Sequence, residues 1–342
     1  MAGPVVGIDT MRWGGPVRAV ERLDDLKIVD DLSSIDLETG ELSHKKVVGR
    51  IPGGGTMWLY YEGTRITSAR IEASLPKVLT GSNFTLLSLR DALPVMERLD
   101  AKAGRYVEWA DPFDGRHIYR ADAASHFSGV THRDHLLRGL ATAPGYPQRS
   151  AVRHDRQRGG AMSLTRGPTG RSGCLYDKQG ETLSRSRRAR SPRTREAAQR
   201  ELAITKDVLR YELRLRSSAL TKIGITTVAT LALEPLAAAH QSCFHEFGFG
   251  LEVAGMNEVV HKALHADSKL TGHDRLMTLG VSLAEFYNEV VPLSEESRRK
   301  YRGLQRALGI APSDFASVAP VVRLDYDTGA QVLSDGGVRG VG

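Results

Sequence analysis

Hydrophobic and polar residues alternate most regularly between positions 208 and 216 of the chain. In an extended strand, every second side chain points to the same side. One side would carry only apolar or aromatic residues, namely Leu209, Tyr211, Leu213 and Leu215. The other side would carry only charged residues, namely Arg210, Glu212, Arg214 and Arg216. The pattern predicts a β-strand with one buried face and one charged face.

Similar patterns predict further strands in the first two thirds of the chain. Residues 56–63 and 65–75 are rich in aromatic and β-branched residues and meet at Gly63, which is typical of a hairpin. Residues 116–127 predict a single strand, and residues 161–178 predict a second hairpin around the turn sequence GPTG. We therefore expect several antiparallel strands before residue 220.

Helical patterns lie between and after these strands. Residues 91–104 have apolar positions at helical spacing and end at a glycine, and Pro94 is expected in the first turn of this helix. Residues 193–207 predict a basic helix, whereas residues 144–160 predict a loop because they are rich in Pro, Gly and charge. From about residue 225 onward, helical patterns predominate.

The order of the predicted elements indicates an α+β fold. We expect residues 1–230 to form a domain built on an antiparallel sheet with helices, and residues 231–342 to form a mainly helical C-terminal region. The chain of 342 residues is long enough for one large domain or two ordinary ones.

Composition restricts the class of protein. The chain is 41% hydrophobic and 25% charged, as is usual for a soluble globular protein. No apolar run approaches the ~18 residues that span a bilayer, and the N-terminus lacks the pattern of a secretory signal. Cys174 and Cys243 are too few for a disulfide framework. We expect a cytoplasmic protein with no membrane partner.

The charge is concentrated in one part of the chain. Residues 151–200 carry a net charge of +9, which exceeds the +7 of the whole chain. Within them, residues 184–195 contain no acid and six arginines, namely Arg185, Arg187, Arg188, Arg190, Arg193 and Arg195. Arginine binds phosphate in a bidentate manner and stacks on bases. The segment is therefore a candidate DNA-binding surface, and the alternative is a solvated basic face.

Three predicted strands carry an arginine followed two residues later by an acid. The pairs are Arg70 with Glu72, Arg120 with Asp122, and Arg210 with Glu212. A spacing of two places both residues on one face of a strand, and Tyr176 and Lys178 are spaced in the same way. If the strands share a sheet, one face presents carboxylates, arginines, a tyrosine and a lysine. The alternative is three separate exposed ion pairs, each contributing less than ~1 kcal/mol.

This set of side chains suits phosphoryl transfer to a tyrosine. Carboxylates from separate strands are oxygen ligands for Mg²⁺ or Mn²⁺, and the predicted ligands are Asp122, Glu212 and Glu72. Tyr176 is the predicted nucleophile, and Lys178 would lower its pKa or protonate the leaving oxygen. Arginines such as Arg210 would stabilise the charge of the transition state. Tyr119 is the other candidate nucleophile. It lies an odd number of residues from Asp122, so its side chain is expected on the opposite face of the strand, and the pattern predicts a core tyrosine.

Four segments together resemble a known family. They are ARIEASLPKVLTGSNF (69–84), HIYRADAASHFSG (117–129), CLYDKQGE (174–181) and LRYELRLRSSALTKIGI (209–225). In order and spacing they resemble successive motifs of the filamentous-phage replication initiators and their plasmid relatives, which are rolling-circle nicking enzymes. The resemblance covers residues 5–235, and PVVRLDYDTGAQ (320–331) is a fainter match to the C-terminal end of the family.

The resemblance implies roles for individual residues. The tyrosine of the family motif Y-x-K-x-x-E, which is the nucleophile, corresponds to Tyr176, and the acids of the neighbouring motifs correspond to Asp122 and Glu212. The family's alanine-serine-proline-alanine-lysine run appears here as ASLPKVLTG, in which Lys77 and Gly81 correspond while the proline is displaced by one. Lys77 joins the candidate DNA-binding residues. The chain has no His-hydrophobic-His triplet, so carboxylates are the consistent metal ligands.

The function implied is that of a replication initiator in a bacterial host. It would recognise a double-stranded origin, nick one strand, hold the 5′ phosphate on Tyr176 and later rejoin the displaced single strand. Host replication proteins are expected partners, and a homodimer is expected if two tyrosines cooperate. One alternative is a non-catalytic origin-binding repressor or copy-number regulator. An RNA-binding module is another, although the basic block lacks the interleaved aromatic residues of a stacking platform.

Overall fold

The structure, a computed structural model, describes residues 4–35, 42–131, 133, 136–137, 140, 151–154, 162–189, 192–251, 271, 273–274, 276–278, 280–281, 293–308 and 321–334. The contacts and distances given below are between these residues.

Within the described part of the chain, eleven strands form one antiparallel sheet. Their bounds are β1 Gly7–Val20, β2 Lys27–Ile35, β3 Leu42–Ile51, β4 Gly55–Glu62, β5 Arg65–Ser74, β6 Val107–Trp109, β7 His117–Phe127, β8 Ala151–His154, β9 Met162–Arg166, β10 Arg171–Asp177 and β11 Leu209–Arg216. The spatial order is β2-β3-β4-β5-β1-β7-β11-β10-β9-β8, and β6 pairs with β1 outside this row. A separate hairpin consists of β12 Val321–Asp325 and β13 Ala330–Ser334.

Helices connect and cover the strands. Their bounds are α1 Leu75–Thr80, α2 Leu89–Ala103, α3 Lys178–Arg188, α4 Pro192–Ile204, α5 Ser217–Lys222, α6 Leu233–Glu246 and α7 Glu295–Leu308. In the residues described, no helix is both long enough and apolar enough to cross a membrane. The fold is α+β with a large antiparallel sheet, as the sequence predicts.

Helices cover one face of the sheet. Met57 on β4, Ile71 on β5 and Trp13 on β1 are cross-strand neighbours on this face and are fully buried. The amphipathic helix α2 buries Met96 and Leu99 in the same cluster. Burial of apolar side chains on this scale is the main favourable contribution to folding.

The apolar core continues into the C-terminal region. Phe244 of α6 has its ring centroid 5.2 Å from that of Phe127 and 5.3 Å from that of Tyr211. His240, also on α6, bonds through Nδ1 to the Tyr326 hydroxyl at 2.7 Å. The described residues on either side of position 231 therefore pack in one hydrophobic cluster.

Most of the predicted elements are confirmed. Both hairpins, the strand at 116–127, the strand at 208–216 and the basic helix are present within a few residues of their predicted bounds. The loop predicted at 144–160 is wrong at Ala151–His154, which form the edge strand β8 by backbone pairing with β9. Charge content does not reveal such backbone pairing, and the remainder of 144–160 lies outside the described residues. The hairpin of β12 and β13 is not predicted by the sequence patterns.

The predicted position of Pro94 is wrong. Helix α2 begins at Leu89, after Ser88 accepts a hydrogen bond from the Asp91 backbone N–H. Pro94 therefore lies inside the helix instead of in its first turn. The capping serine determines the start of the helix, and the proline removes one internal hydrogen bond.

Candidate active site

The opposite face of the sheet carries the charged residues, and the strand register brings them together. Residues directly opposite each other on neighbouring strands share a face. Arg12 on β1 lies opposite Glu72 on β5 and opposite Arg120 on β7. Farther along, Asp122 lies opposite Arg214, and Arg210 lies opposite Tyr176. We call this surface of β4, β5, β1, β7, β11 and β10 the charged face.

Tyr176, Glu212 and Arg210 form the centre of the charged face. The Tyr176 hydroxyl donates a hydrogen bond of 2.7 Å to Oε1 of Glu212. Arg210 Nε donates to the same oxygen at 2.7 Å. Tyr176 and Glu212 are half-buried, whereas Arg210 is completely buried. A half-buried tyrosine therefore contacts a carboxylate that a buried guanidinium also binds.

Arg210 is held from several sides. Asp9 forms an ion pair with its guanidinium at 3.1 Å, and the backbone carbonyl of Asn83 accepts a hydrogen bond from it. His126 Nε2 lies 3.4 Å from the same guanidinium. These partners compensate the buried charge, which would otherwise be costly. Arg210 therefore positions Glu212, and it would have to leave two carboxylates to contact a substrate phosphate.

The electrostatics give Tyr176 and Glu212 opposite protonation states. Burial acts to raise the pKa of Glu212, but Arg210 and the hydrogen bond from Tyr176 outweigh it, so the pKa lies below its ordinary value. Burial raises the pKa of Tyr176 well above its ordinary value, with Arg210 opposing and Glu212 adding to the shift. At neutral pH, the phenol therefore keeps its proton and the carboxylate is charged and can accept it.

His126 lies beside Arg210 at the edge of this centre. Burial, together with the charges of Arg210 and Lys178, lowers the pKa of His126 to about 3, so the ring is neutral. Its ring stacks on Phe84 at a centroid distance of 4.6 Å and an interplanar angle of 12°. The segment with Asn83 and Phe84 follows Gly81, which ends α1 with φ of +78°. Glycine adopts this backbone conformation readily, so the turn can direct the segment onto the charged face.

Lys178 does not occupy the strand position that the sequence predicts. It is the first residue of α3, because the Asp177 side chain accepts a hydrogen bond from the Gln179 N–H and caps a helix there. Its Nζ is completely buried and bonds to Asn83 Oδ1 at 3.0 Å and Glu181 Oε2 at 2.9 Å. It lies 5.7 Å from the centroid of the Tyr176 ring. Burial lowers the pKa of Lys178.

Asp122 and Glu72 belong to a second group of ion pairs on the charged face. Arg120 Nε donates to Asp122 Oδ1 at 2.7 Å, and Arg120 also reaches Glu72 Oε1 at 2.9 Å. Arg214 lies 3.5 Å from the second oxygen of Asp122, and Arg12 donates to Glu72 at 2.5 Å. Burial raises the pKa of Asp122 in spite of these arginines.

The arrangement of carboxylates does not fit a metal site. Each of Glu72, Asp122 and Glu212 is bound by one or two arginines, and Arg120 lies between Glu72 and Asp122. Among the described residues, no group of three or more His, Cys, Asp or Glu side chains is close enough to hold an ion. Both oxygens of Glu72 and of Asp122, and Oε1 of Glu212, are bonded to guanidinium groups, which a cation would have to displace. Dependence on Mg²⁺ or Mn²⁺ stays a prediction from the sequence.

The arginine-rich segment lies on α3 and α4, beyond the edge of the charged face. Arg187, Arg188 and Arg195 are exposed. Arg185 instead turns inward, where it forms an ion pair with Glu201 and donates to Asn83 Oδ1 at 3.1 Å. Arg190 lies outside the described residues, as does the side chain of Arg193. Lys77 is exposed on α1.

The prediction that Tyr119 is a core residue is wrong. The register between β1 and β7 shifts where Arg12 pairs with Arg120 but Trp13 pairs with Ile118. Tyr119 is the extra residue of this β-bulge, and a bulge turns two successive side chains toward one face. Tyr119 is accordingly half-buried on the charged face, where its ring lies 3.8 Å from the Arg70 guanidinium.

Sequence reasoning missed several residues of the site. Asp9 is the extra residue of a second bulge between Ile8 and Thr10, so a strict period of two assigns it to the apolar face. Asn83 contributes from a loop, where no periodicity applies. His126 could have been found, because it has the same parity on β7 as Arg120 and Asp122.

The chain is only distantly similar to known proteins. No protein-family model matches the sequence, and no curated protein matches it. Among solved structures, the chain is similar to the rolling circle replication initiator protein from Geobacillus stearothermophilus, with 14% sequence identity and a TM-score of 0.30. The similarity covers 81% of this chain and 95% of that one. A similarity at this level carries no argument about the site.

Proposed function

We propose that the protein is a rolling-circle replication initiator that nicks and rejoins DNA through a covalent bond to Tyr176. One observation carries this proposal: the hydroxyl of the half-buried Tyr176 donates its hydrogen to a charged carboxylate, Glu212, which a buried arginine holds in place. A nucleophile next to a base, with the base oriented by a third group, is the usual arrangement of nucleophilic catalysis. The resemblance of the sequence motifs supports the same assignment of Tyr176.

The residues suggest how the nicking step proceeds. The Tyr176 oxygen attacks the phosphorus, and the bond from phosphorus to the 3′ oxygen breaks. The phenol becomes strongly acidic as the new bond forms, and Glu212 accepts its proton at that stage. The 3′ oxygen leaves with the electron pair of the broken bond and takes a proton from water. The products are a 3′ hydroxyl, which can prime synthesis, and a 5′ phosphate held by Tyr176.

Rejoining would use the same groups in reverse. A 3′ hydroxyl gives its proton to water as its oxygen attacks the phosphorus of the phosphotyrosine. The bond from phosphorus to the phenol oxygen breaks, and that oxygen recovers the proton from Glu212. One phosphodiester replaces another in each direction, so strand rejoining needs no nucleotide cofactor. The proposed partners are double-stranded origin DNA, the displaced single strand, host replication proteins and a second copy of the chain.

The test is formation of a covalent protein–DNA adduct. Supercoiled plasmid carrying the DNA that encodes and surrounds this chain is incubated with protein and Mg²⁺, then denatured and analysed with and without protease. Wild type is expected to convert supercoiled DNA to nicked circles with protein attached. Tyr176→Phe is expected to bind DNA but give no adduct, because it lacks only the nucleophilic oxygen. An adduct that persists in Tyr176→Phe and disappears in Tyr119→Phe would overturn the assignment.

A metal requirement is measured in the same assay. Cleavage is followed across titrations of Mg²⁺, of Mn²⁺ and of chelator, with Asp122→Asn and Glu212→Gln beside wild type. If cation dependence is unchanged in both variants, neither residue is a metal ligand. No step proposed above passes through a metal.

A non-catalytic origin-binding regulator is the second candidate, because the arginines of the charged face and of α3 would serve binding alone. It predicts origin binding without nicking under every cation condition. The contact between Tyr176 and Glu212 favours the enzyme, since binding alone does not require a phenol directed at a carboxylate.

A further inference from the structure

Beyond the candidate active site, the charged face carries aromatic rings and cations in alternation. Two cations lie against the Trp58 ring on β4, with the Lys46 ammonium 4.3 Å and the Arg12 guanidinium 4.7 Å from its centroid. Beside it, the Arg70 guanidinium lies between two rings, 4.3 Å from Tyr60 and 3.8 Å from Tyr119, the bulge residue of β7. We call these side chains the aromatic–cation strip: Arg12, Lys46, Trp58, Tyr60, Arg70 and Tyr119.

The strip is continuous across strands. Lys46 lies directly opposite Tyr60, and Trp58 lies directly opposite Arg70 in the strand register. In each of these two pairs, a cation on one strand therefore lies beside an aromatic ring on the next strand. All members of the strip are half-buried, so each one keeps part of its surface in contact with solvent.

Arg70 differs from the ion-paired arginines of the charged face. The sequence pattern pairs it with Glu72, but Glu72 is shared by Arg12 and Arg120. In the described part of the chain Arg70 forms no ion pair and is held by the two tyrosine rings. A guanidinium that is held by rings and not neutralised by a carboxylate remains available to phosphate.

The strip lies on the same face as Tyr176. Arg70 on β5 and Tyr176 on β10 are four strand spacings apart, which is about 19 Å across the sheet. They are also offset along the strands, since Arg70 is level with His117 of β7 and Tyr176 is level with His126, roughly 25 Å away. The ion pairs of Arg12, Glu72, Arg120 and Asp122 fill the space between them. A strand of nucleic acid attached at Tyr176 could therefore extend over the sheet to the strip.

We propose that the aromatic–cation strip binds the single-stranded DNA that flanks the scissile phosphate, with its cations contacting phosphates and its rings stacking with bases. Single-stranded DNA exposes the flat faces of its bases, which a duplex keeps stacked on one another. A sheet face with half-exposed rings and an unneutralised guanidinium is complementary to such a strand. The proposal rests on the proposed function in placing the scissile phosphate at Tyr176, but the binding itself needs no cleavage.

The experiment measures binding without cleavage. Anisotropy of a fluorescein-labelled 15-nucleotide oligo-dT is recorded for full-length chains on a Tyr176→Phe background. Trp58→Leu and Tyr119→Leu remove a ring and keep apolar bulk, and each is expected to weaken binding about 5- to 150-fold. Trp58→Phe and Tyr119→Phe restore a ring and are expected to recover most of the affinity. Arg70→Met is expected to reduce the salt slope by about 0.7.

A matched control removes an equal charge elsewhere. Arg98→Ala lies on α2, which covers the apolar face, and is expected to bind oligo-dT as the parent does. Thermal unfolding of every variant identifies any change that comes from loss of folding. The proposal is overturned if the parent does not bind oligo-dT, if the Leu variants bind as tightly as the parent while folded, or if a matched oligo-rU binds more tightly through the same residues.

The outcomes separate this proposal from the proposed function. If wild type nicks plasmid normally and the Leu variants still bind oligo-dT as tightly as the parent, the nicking proposal stands and DNA binding by the strip is excluded. If oligo-dT binding depends on the rings but no adduct forms under any condition, DNA binding by the strip is supported and the nicking proposal is excluded.

Discussion

At the residue scale, Arg210 is the group around which the site is arranged. It is fully buried, and it keeps its charge there because Asp9 and Glu212 share it from two sides. Removing one partner of such a pair leaves an uncompensated buried charge and typically costs 3–5 kcal/mol. Replacing Arg210 would therefore disturb folding as well as activity. Tyr176→Phe removes no charge, and Glu212→Gln leaves Asp9 paired with Arg210, so these two residues are better targets for testing the chemistry.

Glu212→Gln tests whether the charge of the carboxylate matters for cleavage. Glutamine keeps the size of the side chain and can still contact Tyr176 and Arg210, but it does not accept a proton. We expect the single-turnover nicking rate to fall by about 10²- to 10⁴-fold, the range for loss of a general base, while origin binding changes little. Glu97→Gln, an exposed acid on α2, serves as the control. A wild-type rate in Glu212→Gln would exclude the proton transfer.

The raised pKa of Tyr176 can be measured directly. Burial keeps the folded-state phenol neutral beyond its ordinary pKa of 10.0, whereas the unfolded chain ionises there. Tyrosinate absorbance should therefore be the same for wild type and Tyr176→Phe through the range in which an ordinary tyrosine ionises, about pH 10. Above pH 10, this group should also lower the stability of the wild type, because the unfolded state releases its proton first. Loss of one tyrosine's absorbance near pH 10 in the variant would contradict the raised pKa of Tyr176.

At the element scale, regular periodicity is readable from the sequence and its interruptions are not. The strand β11 has the face pattern that alternation predicts, since its leucines and Tyr211 are buried and its last arginines are exposed. The bulges at Asp9 and Tyr119 reverse the parity for one residue each. They depend on how β1 pairs with β7, which is far away in sequence. For this reason the sequence pattern does not assign Asp9 to the site and predicts Tyr119 in the core.

Helix α2 provides a test of local stability. Pro94 is exposed inside the helix and cannot donate to the carbonyl four residues earlier. We expect Pro94→Ala to stabilise the protein by about 1–2 kcal/mol, after allowance for the greater freedom of the unfolded chain. Chemical denaturation measures the difference. Ala101→Gly, at an exposed position of the same helix, should cost about 1 kcal/mol and shows whether α2 unfolds with the rest. A less stable Pro94→Ala variant would mean that the helix depends on the proline.

At the scale of the whole molecule, strand order creates the site. Residues of β5, β1, β7, β11 and β10 are adjacent in the sheet although they span more than half of the chain. The sequence could predict that their charged residues share a face if the strands share a sheet, and this is what the structure shows. It could not predict which arginine binds which acid, because that depends on the register. Thus Glu72 binds Arg12 and Arg120 and leaves Arg70 between two tyrosines.

The charge distribution of the molecule gives a prediction about binding to duplex DNA. Arg187, Arg188 and Arg195 are exposed on α3 and α4, at the edge of the charged face. If they contact phosphates of the origin, each contributes about −0.9 to the slope of log K against log salt concentration. The triple alanine variant should therefore flatten the slope by about 2–3 units, measured by origin binding from low to moderate salt.

Equal loss of charge elsewhere provides the control for this measurement. Arg22, Arg98 and Arg105 are exposed, and their triple alanine variant should keep the wild-type slope. Nicking of saturated origin at low salt should survive in the α3–α4 variant, because none of its three arginines contacts Tyr176 or Glu212. A flattened slope with intact nicking would assign these arginines to DNA affinity. An unchanged slope would mean that they form a solvated basic surface and that duplex DNA lies elsewhere on the protein.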